Sequence, residues 1–188
     1  MFATDDMATE SVLKRAQEYA VEQEISTVVV ASTSGETGAK AASLFDATER
    51  DVVVVGHATG YRDPNEQEIQ EPYREEIERA GGSVFVGPMV FSNVGSALRD
   101  KDGFSAHEVV ADVLRLFGQG TKVALEIVLM GCDAGVVPAN ERVLAVAGTG
   151  SGADTVLTVQ SANSRDLFDA RILEVVGKPV DPENLFYW

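Results

Sequence analysis

The chain has 188 residues, 45% of them apolar, which is enough for one domain with a sizeable core and too apolar for a disordered chain. Thirty acidic residues against 15 basic ones leave a formal net charge of −15, and without a basic patch this argues against nucleic acid and anionic membranes as partners. The lone cysteine, Cys132, excludes an internal disulfide and reads as a small buried residue, and the two histidines form no Cys/His cluster for zinc.

Residues 9–22 carry Val12, Leu13, Ala16, Ala20 and Val21 at helical spacing and predict an amphipathic helix. Ile25 to Ala31 is an apolar, β-branched run, the pattern of a strand buried on both faces of a parallel sheet. It runs into Ser32-Thr33-Ser34-Gly35-Glu36-Thr37-Gly38 and then a good helix former sequence to about Ala47. A strand, a tight loop and a helix N-terminus in that order turn unpaired N–H groups toward the positive end of a helix dipole, which suits a phosphate or a carboxylate. The hydroxyls of Ser32, Thr33, Ser34 and Thr37 add donors, and Gly35 lets an anion come close to the backbone. The same residues also suit an ordinary turn in which a Ser or Thr caps the helix. The spacing from Gly35 to Lys40 is not that of a P-loop.

Asp51 to Gly56 repeats the strand pattern, and a parallel pairing to the first strand through the intervening helix follows. His57 comes directly after it. Ligands of open α/β sheets sit at the carboxyl ends of parallel strands, so His57 and the Ser32–Thr37 loop are expected on one edge. Residues 62–79 are charge-dense, with a helix expected from about Glu66 and ended by Gly81-Gly82; Ser83 to Val86 reads as a short strand. Pro88 to Gly103 suggests a short helix through Phe91, Val94 and Leu98, a turn at Arg99 to Gly103, and a lid or insertion. Ser105-Ala-His-Glu108 has the spacing of a capping box before Val109, Val110, Val113, Leu114 and Phe117, with His107 on the surface. Lys122 to Met130 predicts a further strand with Glu126 at an exposed edge position.

Val143 to Ala147 is another strand, followed by Gly148-Thr149-Gly150-Ser151-Gly152-Ala153-Asp154-Thr155 and the strand Val156 to Val159. Gly148, Gly150 and Ala153 fit the G-x-G-x-x-A pattern, but a dinucleotide site needs a helix next, and β-branched residues follow instead. The stretch is either a glycine-rich β-turn or a backbone wall around a ligand. Ala170 to Val176 suggests a last strand. The apolar end Leu185-Phe186-Tyr187-Trp188 is expected to pack on its own domain or on a second subunit, as in a homo-oligomer. The acidic N-terminus has no signal-peptide pattern and no run is long enough to span a membrane, so a cytoplasmic protein is expected. Acid excess with only five lysines resembles the composition of proteins from a high-salt cytoplasm, with an acidic mesophilic protein as the alternative.

The loops at 31–38 and 148–155, with Lys122 to Pro138, Ser161 to Ser164, Phe168-Asp169 and Lys178-Pro179, resemble the archaeal proteins named pyruvate kinase alpha/beta domain proteins, over about residues 9 to 180. The resemblance implies an α/β fold: a three-layer α/β/α sandwich with a mostly parallel sheet, similar to the C-terminal domain of pyruvate kinase, spanning 1–188 as one domain. It also implies a ligand site in which Thr33-Ser34-Gly35 with Thr37 hold a phosphate and Gly150-Ser151-Gly152 with Thr155 close over it. Flavin mononucleotide (FMN) is the cofactor it suggests. Glu36 beside the phosphate disfavours a sugar bisphosphate and suits a monophosphate with a large flat apolar part. The pyruvate kinase barrel does not fit in 188 residues beside this domain, so that activity is not expected. Three readings follow: a module binding a phosphorylated small molecule through Ser32, Thr33, Ser34, Gly35, Thr37, His57, Gly148, Thr149, Gly150, Ser151, Gly152, Asp154 and Thr155; a small enzyme, flavin-dependent or otherwise, using His57; and an interaction protein that assembles through its aromatic C-terminus.

Overall fold

The structure is a computed structural model and describes residues 1–47 and 49–185. Its strands are β1 (Phe2–Ala3), β2 (Thr27–Ala31), β3 (Asp51–Gly56), β4 (Ser83–Val86), β5 (Arg142–Ala147), β6 (Thr155–Gln160) and β7 (Arg171–Lys178). The helices are α1 (Thr9–Glu22), α2 (Glu36–Leu44), α3 (Glu71–Arg79), α4 (Val94–Asp102), α5 (Ala106–Arg115) and α6 (Gln119–Asp133), with short 3-10 turns at Ser164–Asp169 and Pro182–Asn184. The strands form one sheet in the order β1-β7-β6-β5-β2-β3-β4. The pairs β1/β7, β2/β3, β2/β5 and β3/β4 are parallel; β5/β6 and β6/β7 are antiparallel.

Strand alternation divides the core in two. Val28, Val30, Val52, Val54, Leu144 and Val146 pack with α1, α2 and α3 on one face of the sheet. Val29, Val53, Val55, Val143, Ala145 and Leu157 pack with α5 and α6 on the other. With side chains buried on both sides, these strands need apolar residues at every position, and β-branched valines meet that need at little conformational cost. The result is the mostly parallel α/β/α sandwich that the sequence pattern and resemblance led us to expect.

Several local expectations are corrected. Lys122 to Met130 is helix, not strand: it lies within α6, which runs from Gln119 to Asp133 and is buried nearly all round between the sheet and α5. A helix covered on every side loses the polar face that marks amphipathic helices, and Val123, Ile127 and Val128 add β-branched character, so its pattern resembles a buried strand. Glu126 is consequently buried, not at an exposed edge. Arg99 to Asp102 belongs to α4 instead of a turn, and α3 starts at Glu71 rather than near Glu66. The Ser105 capping box does not form. Glu108 is buried and turned to the Ser96 hydroxyl, with Arg99 at 3.2 Å and Arg115 at 3.6 Å, while the Ser105 hydroxyl has no hydrogen-bond partner among the described residues. The ionic partners outcompete a backbone N–H for that carboxylate. Val110 and Leu114 pack on the core, but Val109, Val113 and Phe117 are exposed. Of the apolar end only Leu185 is described, and Phe186, Tyr187 and Trp188 lie outside the described residues.

The ends of the chain are tied together in a way the sequence did not indicate. Phe2 and Ala3 form edge strand β1 on β7. Asp5 then accepts hydrogen bonds from the Val180 N–H, the Asp181 N–H and the Asn184 side-chain amide. The two backbone donors, chiefly that of Asp181, lower its carboxyl from the ordinary value of 3.8 to about 2. A depressed carboxyl stabilises the fold above its ordinary value, and that contribution is lost as pH falls through the folded value. The Val180 and Asp181 amide NMR signals should therefore titrate together with a midpoint near 2, and Asp5→Ala should abolish that transition. A second expectation concerns α6: Leu129 is fully buried, so Leu129→Ala should cost about 2–5 kcal/mol in chemical denaturation, where a strand-edge position would cost far less.

Candidate functional site

The sheet order makes β2 the pivot of the fold. From β2 the chain crosses by α2 to β3 on one side; after β4 it returns through α4, α5 and α6 to β5 on the other. The crossovers that reach the two neighbours of β2 thus run on opposite faces of the sheet, and the crevice at the carboxyl ends of such a switch point is where open α/β sheets bind ligands. A cavity of about 540 Å³ lies there. Its rim comes from the loops after β2, β3 and β5, and its floor from α6.

The first loop is held tightly. The Ser32 hydroxyl accepts the Gly38 N–H at 3.1 Å and the Ser34 hydroxyl accepts the Glu36 N–H at 3.4 Å. Two first-turn donors of α2 are thereby capped from within the loop, which is the ordinary role of serine at a helix start. The Thr37 N–H, between them, has no acceptor among the described residues, and Thr37 lines the cavity. Gly35 does not line it: at φ 97° it makes the turn into α2, and a Cβ there would sit 2.7 Å from that of Tyr73. Its small size makes room for α3, not for a ligand.

The second loop closes the β5/β6 hairpin and faces the first across the cavity. Gly148, Gly150, Ser151 and Gly152 line the cavity, whereas Thr149, Asp154 and Thr155 shape the loop. The Asp154 carboxylate accepts the Thr149 N–H at 2.8 Å and the Thr155 hydroxyl at 2.6 Å. At Gly152, with φ 70°, a Cβ would fall 2.3 Å from the Thr9 hydroxyl, so a side chain there would disturb the start of α1 as well as the cavity. The strand that follows, β6, agrees with the rejection of a dinucleotide motif here.

His57 lines the third wall with Tyr61 and Arg62. Its Nδ1 lies 2.7 Å from Glu68, which also meets Arg62 at 3.1 Å, and its ring is 4.4 Å from that of Tyr61. The Gln67 side chain ties the same loop to the His57 carbonyl, and the Gln70 N–H donates to the Ser34 carbonyl, so the loops after β3 and β2 are one unit. Lys40 is outside the cavity; it pairs with Glu36 at 3.1 Å and Glu10 at 3.4 Å. The Glu36 contact first, then Glu10, raises its amine.

The floor holds residues of α6 that the strand reading of 122–130 concealed, with Arg115 at the end of α5 beside them. Arg115 and Gln119 are joined by a 2.8 Å hydrogen bond, and Lys122 pairs with Glu126 one turn along α6. All four line the cavity beside the apolar Met89, Val123, Ile127 and Met130. The Lys-x-x-x-Glu spacing was the available signal, since oppositely charged residues four apart meet on a helix, whereas on a strand they share a face but stand about 13 Å apart. The segment 88–103 is no free lid: the Phe91 N–H is held by Glu126 at 2.7 Å and the Phe91 ring is buried. Cys132 is buried too, and loss of water raises its thiol to about 11, which fits a packing residue and no nucleophile.

No known protein-family profile matches the sequence. Among solved structures, a pyruvate kinase from Cryptosporidium parvum aligns with a TM-score of 0.43 at 10% identity, over 82% of this chain and 23% of its own. The Cryptosporidium parvum pyruvate kinase in complex with ADP aligns at 0.38 and 11% identity, over 80% and 23%. An O-ureido-L-serine synthase aligns at 0.33 and 16% identity, over 70% and 40%. The chain spans about a quarter of the length of the pyruvate kinases to which it is similar in part.

Proposed function

We propose that this chain is a single-domain binding module for a phosphate-bearing small molecule, of the archaeal pyruvate kinase alpha/beta domain type, working in a high-salt cytoplasm. The observation that supports it is the meeting of two separated loops, Ser32–Thr37 and Gly148–Gly152, around one cavity at the switch point of the sheet. The Thr37 N–H and the hydroxyls of Thr33, Thr37 and Ser151 are the donors for the phosphate. The Met89, Val123, Ile127 and Met130 surface takes the apolar body.

A flavin mononucleotide fits this description. The volume lies within the roughly 300–1,000 Å³ usual for small-ligand sites, and the lining pairs hydroxyl-rich loops with an apolar wall. The two loops would hold its phosphate and the α6 floor its ring system; when bound it would supply redox chemistry. Glu36 lines the cavity, and its carboxylate, although paired with Lys40, favours one phosphate over two. A second reading, an enzyme that transfers a proton through His57, is favoured by Glu68, which fixes one ring nitrogen of His57. It requires that His57→Ala abolish a turnover found for the wild type in a screen of phosphate esters.

Equilibrium titration in high salt, followed by flavin fluorescence, tests the main reading. FMN should bind and riboflavin, lacking the phosphate, should bind at least about tenfold more weakly, the worth of one or more hydrogen bonds to a charged group. Thr37→Val, which keeps volume and removes the hydroxyl, should weaken FMN by roughly tenfold with riboflavin unchanged. Equal affinity for the two flavins, or no binding of either, would overturn the flavin reading.

A further inference from the structure

The floor of the cavity carries a buried ion pair that phosphate binding by the loops does not use. Lys122 is 2% exposed and Glu126 is 1% exposed, yet both line the cavity. One Glu126 oxygen accepts the Phe91 N–H at 2.7 Å, and the other accepts the Lys122 ammonium. Lys122 also donates to the Ser92 hydroxyl at 3.3 Å, with the Phe91 ring centroid 6.0 Å from its nitrogen.

The donor count is informative. An ammonium has three N–H donors, and two are engaged among the described residues. Each carboxylate oxygen already holds a donor. The ammonium therefore keeps one N–H uncommitted at the cavity wall, while Glu126 is held by the ammonium on one oxygen and by the Phe91 N–H on the other. A buried ion pair is a poor source of stability, since apolar residues of similar volume commonly serve as well or better. The pair anchors the Phe91 N–H and the Ser92 hydroxyl, and its place on the cavity wall also puts it within reach of a ligand.

We propose that Lys122 is the specificity-determining donor of this cavity. It selects phosphorylated ligands whose apolar body carries a hydrogen-bond acceptor, a carbonyl-type oxygen or an unprotonated ring nitrogen, and Glu126 holds the ammonium in place. The proposal rests on the ligand-binding reading above and adds the chemistry of the end remote from the phosphate. In a site shielded from water a hydrogen bond from a charged donor discriminates by roughly tenfold or more against a ligand that lacks the acceptor.

The test compares FMN, whose ring system carries carbonyl oxygens, with phenyl phosphate, whose ring carries no acceptor. Both are titrated against the wild type and against Lys122→Met/Glu126→Gln. That pair removes both charges together and keeps an acceptor for the Phe91 N–H; far-UV circular dichroism checks the fold. FMN should weaken tenfold or more in the variant and phenyl phosphate by less than twofold. If this variant does not fold, Lys122→Gln/Glu126→Gln, which retains a neutral hydrogen bond between the two positions, should show the same selective weakening at severalfold. Unchanged FMN affinity overturns the proposal, and so does equal weakening of both ligands, which would mark Lys122 as a general attractor for phosphate. A wild type that binds phenyl phosphate and not FMN overturns this proposal and leaves the phosphate loops standing. A wild type that binds neither overturns both.

Discussion

Everything on one side of the sheet is arranged around a helix that has no wet face. Between the sheet and α5, α6 buries residues from Gly120 to Cys132 with only Val123 less covered, and two of those residues are charged. A lone lysine or glutamate at such depth would be prohibitive. Spaced four apart on the helix, the two neutralise each other and also hold Ser92 and the Phe91 backbone, which fixes the segment between β4 and α4. One pair of side chains thus satisfies the interior of the helix, anchors a loop and forms part of a cavity floor.

The rim of the cavity follows from topology. β2 lies inside the sheet, with its neighbours β3 and β5 reached by crossovers on opposite faces; β2 runs on into α2, whereas β5 turns back through a hairpin into β6. What fills the gap is short and polar: serine and threonine hydroxyls on one side, glycine backbone on the other. Several of these hydroxyls are committed to the protein itself. Ser32 and Ser34 cap α2, and Asp154 with Thr155 braces the second loop. The division between bracing residues and facing residues is a matter of which way each side chain turns, and spacing along the chain carries little of that information.

Strands β2, β3, β5 and β6 were legible because they are buried on two faces and are therefore written largely in valine, alanine and leucine between turn residues. Both loops were legible for the opposite reason, as glycine and hydroxyl clusters placed where strands end. The same uniform burial that announces a strand disguised α6, whose fifteen residues exceed the usual strand length and whose Lys122 and Glu126 sit at helical spacing. Read as a strand, that element gave no sign that Gln119, Lys122 and Glu126 line one cavity; Arg115, at the end of the expected helix α5, joins them only through the fold. The two-residue strand β1 left no pattern to read; it exists because β7 offers a free edge and Asp5 clamps the returning chain.

The cavity has walls from both helical layers, α2 from one and α6 from the other, with the sheet between them. A molecule seated there touches elements that separate when the sandwich opens, so its binding energy is coupled to global unfolding and not to the motion of one loop. At a hundred times its dissociation constant such a ligand adds about 2.7 kcal/mol to the folded state. For an acidic protein whose surface charges repel one another in dilute salt, the occupant of the cavity would be as much a part of its stability as the ions around it.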